Sequence, residues 1–343
     1  MYVFATSVYS LDSTALDMLK YFRMCARITE SCVKQHVANG TLLGHFFSQS
    51  VWRNLLKWNS DRLYDAVVRR YISPYCSNID DLDNRDVLHI VYKLISQRYR
   101  NEYFYRNELL HHFTKEHSSG HNAVAMSQLK VAKSRADFVL VNGTAAVYEI
   151  KTDQDTFVRI DSQLADYYKA FPYVYVVVGE SHIPEALSRY YGTEVGICTF
   201  SKRRAFKCVK RATEKLDGLQ HKAMFDILHN DEIDSVLFSF NLMTVGATAF
   251  DAYASKLKLF QSIEMHDLYP VFQQELKKRM RTLSRALFAA WPVELSALAY
   301  FWDRRKPISL EIDSFLQSQY RHFDYAKVKE ERMRNVSTLL SVL

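Results

Sequence analysis

Asp137, Glu149 and Lys151 are the residues whose types and spacing could do chemistry. Asp137 opens one apolar run, Phe138–Val141, and Glu149-Ile150-Lys151 ends the next, Ala145–Ile150. Side chains alternate across a strand, so Glu149 and Lys151 share one face while Ile150 points the other way. A carboxylate and an ammonium at the end of an otherwise apolar strand are hard to explain by packing. Two carboxylates that can converge, beside a lysine that cannot ligate, fit a metal site with a positioned lysine.

A hairpin must bring the two acids together, and its register decides whether it does. Asn142-Gly143 is a strong hairpin signal. A two-residue turn there sets Asp137 opposite Tyr148, on the wrong face. A three-residue loop from Asn142 to Thr144 pairs Val141 with Ala145 and sets Asp137 opposite Glu149. A three-residue loop ending at Gly143 keeps both acids on one face, one step apart. The dipeptide favours the two-residue form, whereas the chemistry requires an odd-length loop or a bulge, and the expectation follows the chemistry.

A helix is expected next. Phe157, Ile160, Leu164, Tyr168 and Phe171 make an apolar stripe of helical period. Asp155, Arg159, Gln163 and Tyr167 make a polar line beside it, each four residues after the last. That line could project over the open face of the hairpin.

Asp137 followed by Glu149-Ile150-Lys151 resembles the D…EXK signature of the PD-(D/E)XK nuclease superfamily, and Gln163 with Tyr167 resembles the Q-x-x-x-Y helix motif of its RecB-like branch. Ala136 stands where the motif has proline. The resemblance covers roughly residues 86–200 and is to uncharacterised bacterial and phage-associated members. It implies an α/β fold with a restriction-endonuclease-like αβββαβ core and a mixed central sheet. It also implies Mg²⁺, with Mn²⁺ as an alternative, held by Asp137, Glu149 and the carbonyl of Ile150. Lys151 would orient the attacking water, while Gln163 and Tyr167 would act near the cut. In that family an acid on the helix before the sheet often helps hold the metal. Glu108 is the candidate here, with Glu102 and Glu116 as rivals. His111 and His112 diverge by about 100° on a helix, so they do not face one ion together.

The wider chain suits that reading. Its 343 residues carry a net charge of +7, which favours a polyanionic partner, and the resemblance implies that this partner is nucleic acid, DNA first. The 22 Tyr and 21 Phe could fill a core or offer base-stacking surface. Five cysteines show no CxxC pair or zinc spacing, which suggests a reducing compartment and a cytoplasmic protein. No apolar run is long enough for a membrane span. The expected organisation is a helical N-terminal region over 1–84, a nuclease-like core over 85–212 and a helical C-terminal region over 213–343. Tyr173–Val178 reads as a strand buried on both faces, and Val195–Phe200 as the last strand. Basic strips lie at 202–211, 277–281 and 304–306.

The function expected is that of a metal-dependent deoxyribonuclease, with phage defence or mobile-element biology as its setting. The alternatives are a non-catalytic nucleic-acid-binding protein on a nuclease scaffold and a helical module that binds a protein partner.

Overall fold

The acid-bearing hairpin forms as two long strands in the middle of the chain. The computed structural model describes residues 41–76, 79, 82–116, 123–242, 249–280, 291–302 and 309–321. The chain divides into two compact units: one runs to Tyr99 and resumes at Ile308, and the other is residues 100–307.

In the first unit, helices α1 (Thr41–Phe46), α2 (Gln49–Trp58), α3 (Arg62–Tyr71) and α4 (Asn84–Arg98) pack with a later helix, Ser309–Gln317. The starts of α2, α3 and α4 are set by capping side chains. Ser48 accepts from Val51 N, Asp61 from Leu63 N and Tyr64 N, and Asp83 forms a reciprocal box with Asp86. Asn84 donates to the carbonyls of Phe315 and Ser318, which ties α4 to the later helix. Helix α4 therefore belongs with the N-terminal helices rather than with the core expected to begin at 85. Residues 1–40 of the expected N-terminal helical region lie outside the described residues.

The second unit holds, among the described residues, a six-stranded sheet in the order β1-β2-β3-β4-β5-β6. Helix α5 (Glu102–Glu116) precedes β1 (Val124–Val131), β2 (Ser134–Asn142) and β3 (Thr144–Lys151). Helix α6 (Ile160–Tyr167) crosses to β4 (Tyr173–Val178), α7 (Ile183–Tyr190) leads to β5 (Gly196–Phe200), and β6 (Phe206–Lys210) closes the edge. β1, β2 and β3 are antiparallel neighbours, β3-β4-β5 are parallel, and β6 is antiparallel to β5. The molecule is thus a mixed α/β protein with a mixed sheet flanked by helices.

Three sequence expectations are altered. β5 is not the last strand, because part of the basic stretch at 202–211 adds β6. The expected long helix starts only at Ile160. Phe157 lies before it, Arg159 is its N-cap residue, and Asp155 instead accepts from Thr152 N and Oγ1. The polar line therefore keeps Gln163 and Tyr167 on the helix and loses Asp155 and Arg159.

The third change is at the expected boundary near 212. Helices α8 (His221–Ile227), α9 (Asn230–Ser239), α10 (Ala249–Gln261) and α11 (Met265–Lys278) are not a separate layer. Phe225, Phe260 and Phe272 share one core with Val139, Val147 and Val176 of the sheet and Leu164 and Tyr167 of α6. The opposite sheet face is covered by α5, where Phe113 packs on Phe138 and Tyr148. A short helix, α12 (Ser296–Tyr300), packs on α5.

Candidate active site

Register places the acids. Val141 pairs with Ala145 and Phe138 with Tyr148, so the next residues outward, Asp137 and Glu149, stand opposite each other on one face. This is the odd-length form of the turn. Gly143 sits at the apex with φ +73°, a left-handed conformation that glycine adopts without a Cβ penalty. The apolar alternation of Val139, Val141 and Val147 locks the register. A slip by one residue would turn these side chains out of the core.

Glu149 is 1% exposed, so its charge must be compensated in place. Lys151 Nζ donates to Glu149 Oε1 at 3.0 Å and to Gln163 Oε1 at 3.1 Å. Tyr167 OH lies 2.6 Å from Glu149 Oε2 and 2.9 Å from the carbonyl of Arg135, two acceptors for one proton. Burial and the adjacent Glu149 charge hold the Tyr167 hydroxyl far above its ordinary range, so it remains a donor.

Asp137 is anchored differently. Its Oδ2 accepts from Ile150 N at 2.9 Å, and its Oδ1 accepts from Gln128 Nε2 at 3.2 Å. The Lys151 carbonyl is taken by Gly179 N on the β4 side. Peptide groups alternate direction along a strand, so those of Ile150 turn toward β2 and Asp137. Burial, then the charge of Glu149, then that of Glu102 push the Asp137 carboxyl up to about 8, against the pull of Ile150 N–H and Lys151. Glu149 is buried and Asp137 half-buried beside one ammonium, and Lys151 bonds only Glu149.

The helix acid brought to this cluster is Glu102, not Glu108. Gln128 Nε2 donates to Glu102 Oε1 at 2.9 Å as well as to Asp137, which joins α5 to the sheet. Glu108 instead faces Arg204, 3.4 Å away, and Glu116 faces His112 at 3.2 Å. Glu102 and Glu108 are six residues apart, which turns them about 240° from each other on a helix. Sequence reasoning misses Gln128. It lies opposite Asp137 in the β1–β2 register and holds φ +55°, a conformation that costs a residue with a Cβ about 1–2 kcal/mol. No local motif signals such a residue, since its role depends on the strand across from it.

Asp137, Glu149 and the Ile150 carbonyl suit a hard divalent ion. One or two carboxylates suffice for Mg²⁺, which keeps several waters. Burial first, and the neighbouring Glu149 and Glu102 charges second, disfavour a bare Asp137 carboxylate, which a bound cation would favour. Among the described residues, no group of three or more His, Cys, Asp or Glu converges as a ready cage. The donor set is therefore two carboxylates plus backbone.

Fold and site together define a mixed α/β protein with an acid–lysine cluster around the buried Glu149 of the sheet's hairpin. A family model described as "Bacteriophage P4 protein cII" matches residues 96–299, and the chain belongs to that family. No curated protein matches it. A solved structure of a protein of unknown function from Silicibacter pomeroyi is similar over 32% of this chain and 69% of that one, with 17% identity and a TM-score of 0.26. Among the described residues no helix is long and apolar enough to cross a membrane.

Proposed function

We propose that the chain is a metal-dependent nuclease of PD-(D/E)XK type, built on a restriction-endonuclease-like core and acting on phosphodiesters, most readily those of DNA. The observation that carries this reading is the hydrogen-bonded cluster of Glu149, Lys151, Gln163 and Tyr167, with Asp137 opposite Glu149 on the same sheet face. Packing alone does not call for that convergence, because it brings two acids to one base at the end of an otherwise apolar strand pair. The element order α5-β1-β2-β3-α6-β4 supports it too, being the order that the resemblance implies.

In this reading Asp137, Glu149 and the Ile150 carbonyl hold Mg²⁺, with Mn²⁺ able to substitute, and Glu102 supports the site from α5. The ion would supply charge neutralisation at the phosphate and a more acidic water. Lys151, an ammonium without a lone pair, stays off the ion and orients the attacking water. It also offsets negative charge as that charge develops on the phosphate. Gln163 fixes the Lys151 ammonium from the helix side, and Tyr167 fixes Glu149. The family's bacteriophage description supports a role in mobile-element biology or in defence against such elements.

The test is cleavage of labelled single- and double-stranded DNA and RNA with Mg²⁺, Mn²⁺ or EDTA, wild type beside Glu149→Ala. Cleavage of DNA that needs the ion and Glu149 is expected. Cleavage that survives both EDTA and Glu149→Ala, or none with either ion, would sink the reading.

A further inference from the structure

Two cysteines far apart in the sequence meet across the β5–β6 pair. Cys198 and Cys208 are directly paired residues of antiparallel strands, so their side chains leave the same face. Such residues have Cα atoms about 4.5–5.5 Å apart, inside the roughly 4.4–6.8 Å that a disulfide spans. Their surroundings differ. Cys198 is 1% exposed, whereas Cys208 lies on the exposed edge strand. The register shifts beside the pair: Ile197 faces Lys210 and Cys198 faces Cys208, so Val209 is the extra residue of a bulge. The Cys198 thiol, and to a lesser degree Arg211, bring Cys208 down to about 7 against the effect of burial. Contact with Cys208 and burial hold Cys198 up.

We infer that Cys208 and Cys198 form an oxidant-sensing dithiol: a hydroperoxide oxidises the exposed cysteine, and the buried one resolves it into a cross-strand disulfide. In the first step the Cys208 thiolate attacks the outer peroxide oxygen. An S–O bond forms, the O–O bond breaks, and the departing oxygen leaves as water or an alcohol after taking up the proton of the thiol. Cys208 is then a sulfenic acid. In the second step the Cys198 sulfur attacks the Cys208 sulfur. The S–S bond forms, the S–O bond breaks, and the oxygen leaves as water with the Cys198 thiol proton. Two thiols lose two electrons and one peroxide gains them. The product staples β6, with Lys207 and Lys210, to the sheet. The geometry protects Cys208 from further oxidation, because its resolving partner is already beside it. This inference is independent of the nuclease reading.

The experiment treats the reduced full-length protein with a small excess of hydrogen peroxide, blocks the remaining thiols with N-ethylmaleimide and maps the peptides by mass spectrometry. The expected result is joint loss of the Cys198 and Cys208 thiols and a cross-linked peptide, reversed by dithiothreitol. In Cys198→Ser, dimedone should trap Cys208 as its sulfenic acid far more than in wild type. Oxidation of Cys208 to the sulfinic acid with Cys198 still alkylated would overturn the inference. So would pairing of Cys208 with Cys25, Cys32, Cys76 or a second molecule. Equal dimedone labelling of wild type and Cys198→Ser would do the same.

Discussion

In the proposed mechanism Lys151 would separate two functions that the carboxylates combine, ion binding and cleavage. Its ammonium bonds Glu149 and Gln163 and cannot ligate a metal. Lys151→Ala should therefore lower cleavage by at least about 10²-fold, the usual cost of one preorganised charge-stabilising donor. Divalent-ion binding by calorimetry should persist in that variant, whereas Asp137→Ala and Glu149→Ala should lose both. Wild-type rates in Lys151→Ala would rule out the mechanism. The Asp137 shift also has a sign in stability. Its carboxyl keeps a proton up to about 8 in the fold but loses it at about 4 when unfolded. Between these values the folded chain binds more protons, so in EDTA stability should fall as pH rises from about 5 to 8. The slope is at most about 1.4 kcal/mol per pH unit for one proton. Chemical denaturation across that range should show the slope, Asp137→Asn should flatten it, and Mg²⁺ should offset it. A wild-type slope identical to that of Asp137→Asn would show that Asp137 is not the group.

The β1–β2–β3 meander sets the geometry those residues need, and its unusual point is Gln128. A left-handed backbone there is tolerated because one side-chain amide binds both Asp137 and Glu102. Gln128→Ala and Gln128→Gly both remove the bridge, yet only alanine retains the backbone cost. Gln128→Ala should melt below Gln128→Gly by the equivalent of about 1 kcal/mol. The two variants should lose metal affinity equally. Equal melting points would show that the conformation is not held in solution. The helix α6 is shorter than its apolar stripe suggests, since Phe157 reaches the core from the preceding loop and Asp155 caps Thr152. An apolar residue can enter a core from a turn as well as from a helix, and spacing alone does not distinguish them.

At the scale of the whole molecule, the net charge of +7 is distributed unevenly in its availability. Lys278 and Arg279 are engaged by Glu275 and Glu232, and Lys210 donates to the carbonyls of Thr193 and Val195. Arg281 and the strip 304–306 lie outside the described residues. Lys202, Arg203 and Lys207 are exposed on and before β6. If that edge tracks phosphates, binding of labelled DNA should weaken steeply with salt. Reversing these three charges to Glu should lower affinity and flatten the salt slope, by about one unit for each phosphate that is no longer neutralised. An unchanged salt slope in the triple variant would place the nucleic-acid surface elsewhere.

By itself the sequence determined the hairpin strands β2 and β3, the strands β4 and β5, the two acids, the lysine and the Gln163–Tyr167 pair, but not β6, because alternation and helical spacing are local properties of a chain. It left the hairpin register in conflict, with Asn142-Gly143 favouring a two-residue turn and the two acids an odd-length loop or a bulge, and the structure takes the odd-length form. The tertiary structure decided what depends on distant segments. It chose Glu102 over Glu108, because the partner of each is fixed by what α5 packs against: Gln128 of β1 for one, Arg204 before β6 for the other. It joined the helices after 212 to the sheet's own core, since Phe225, Phe260 and Phe272 find their apolar partners there. It also brought Cys198 to Cys208 by a strand pairing that no spacing motif encodes.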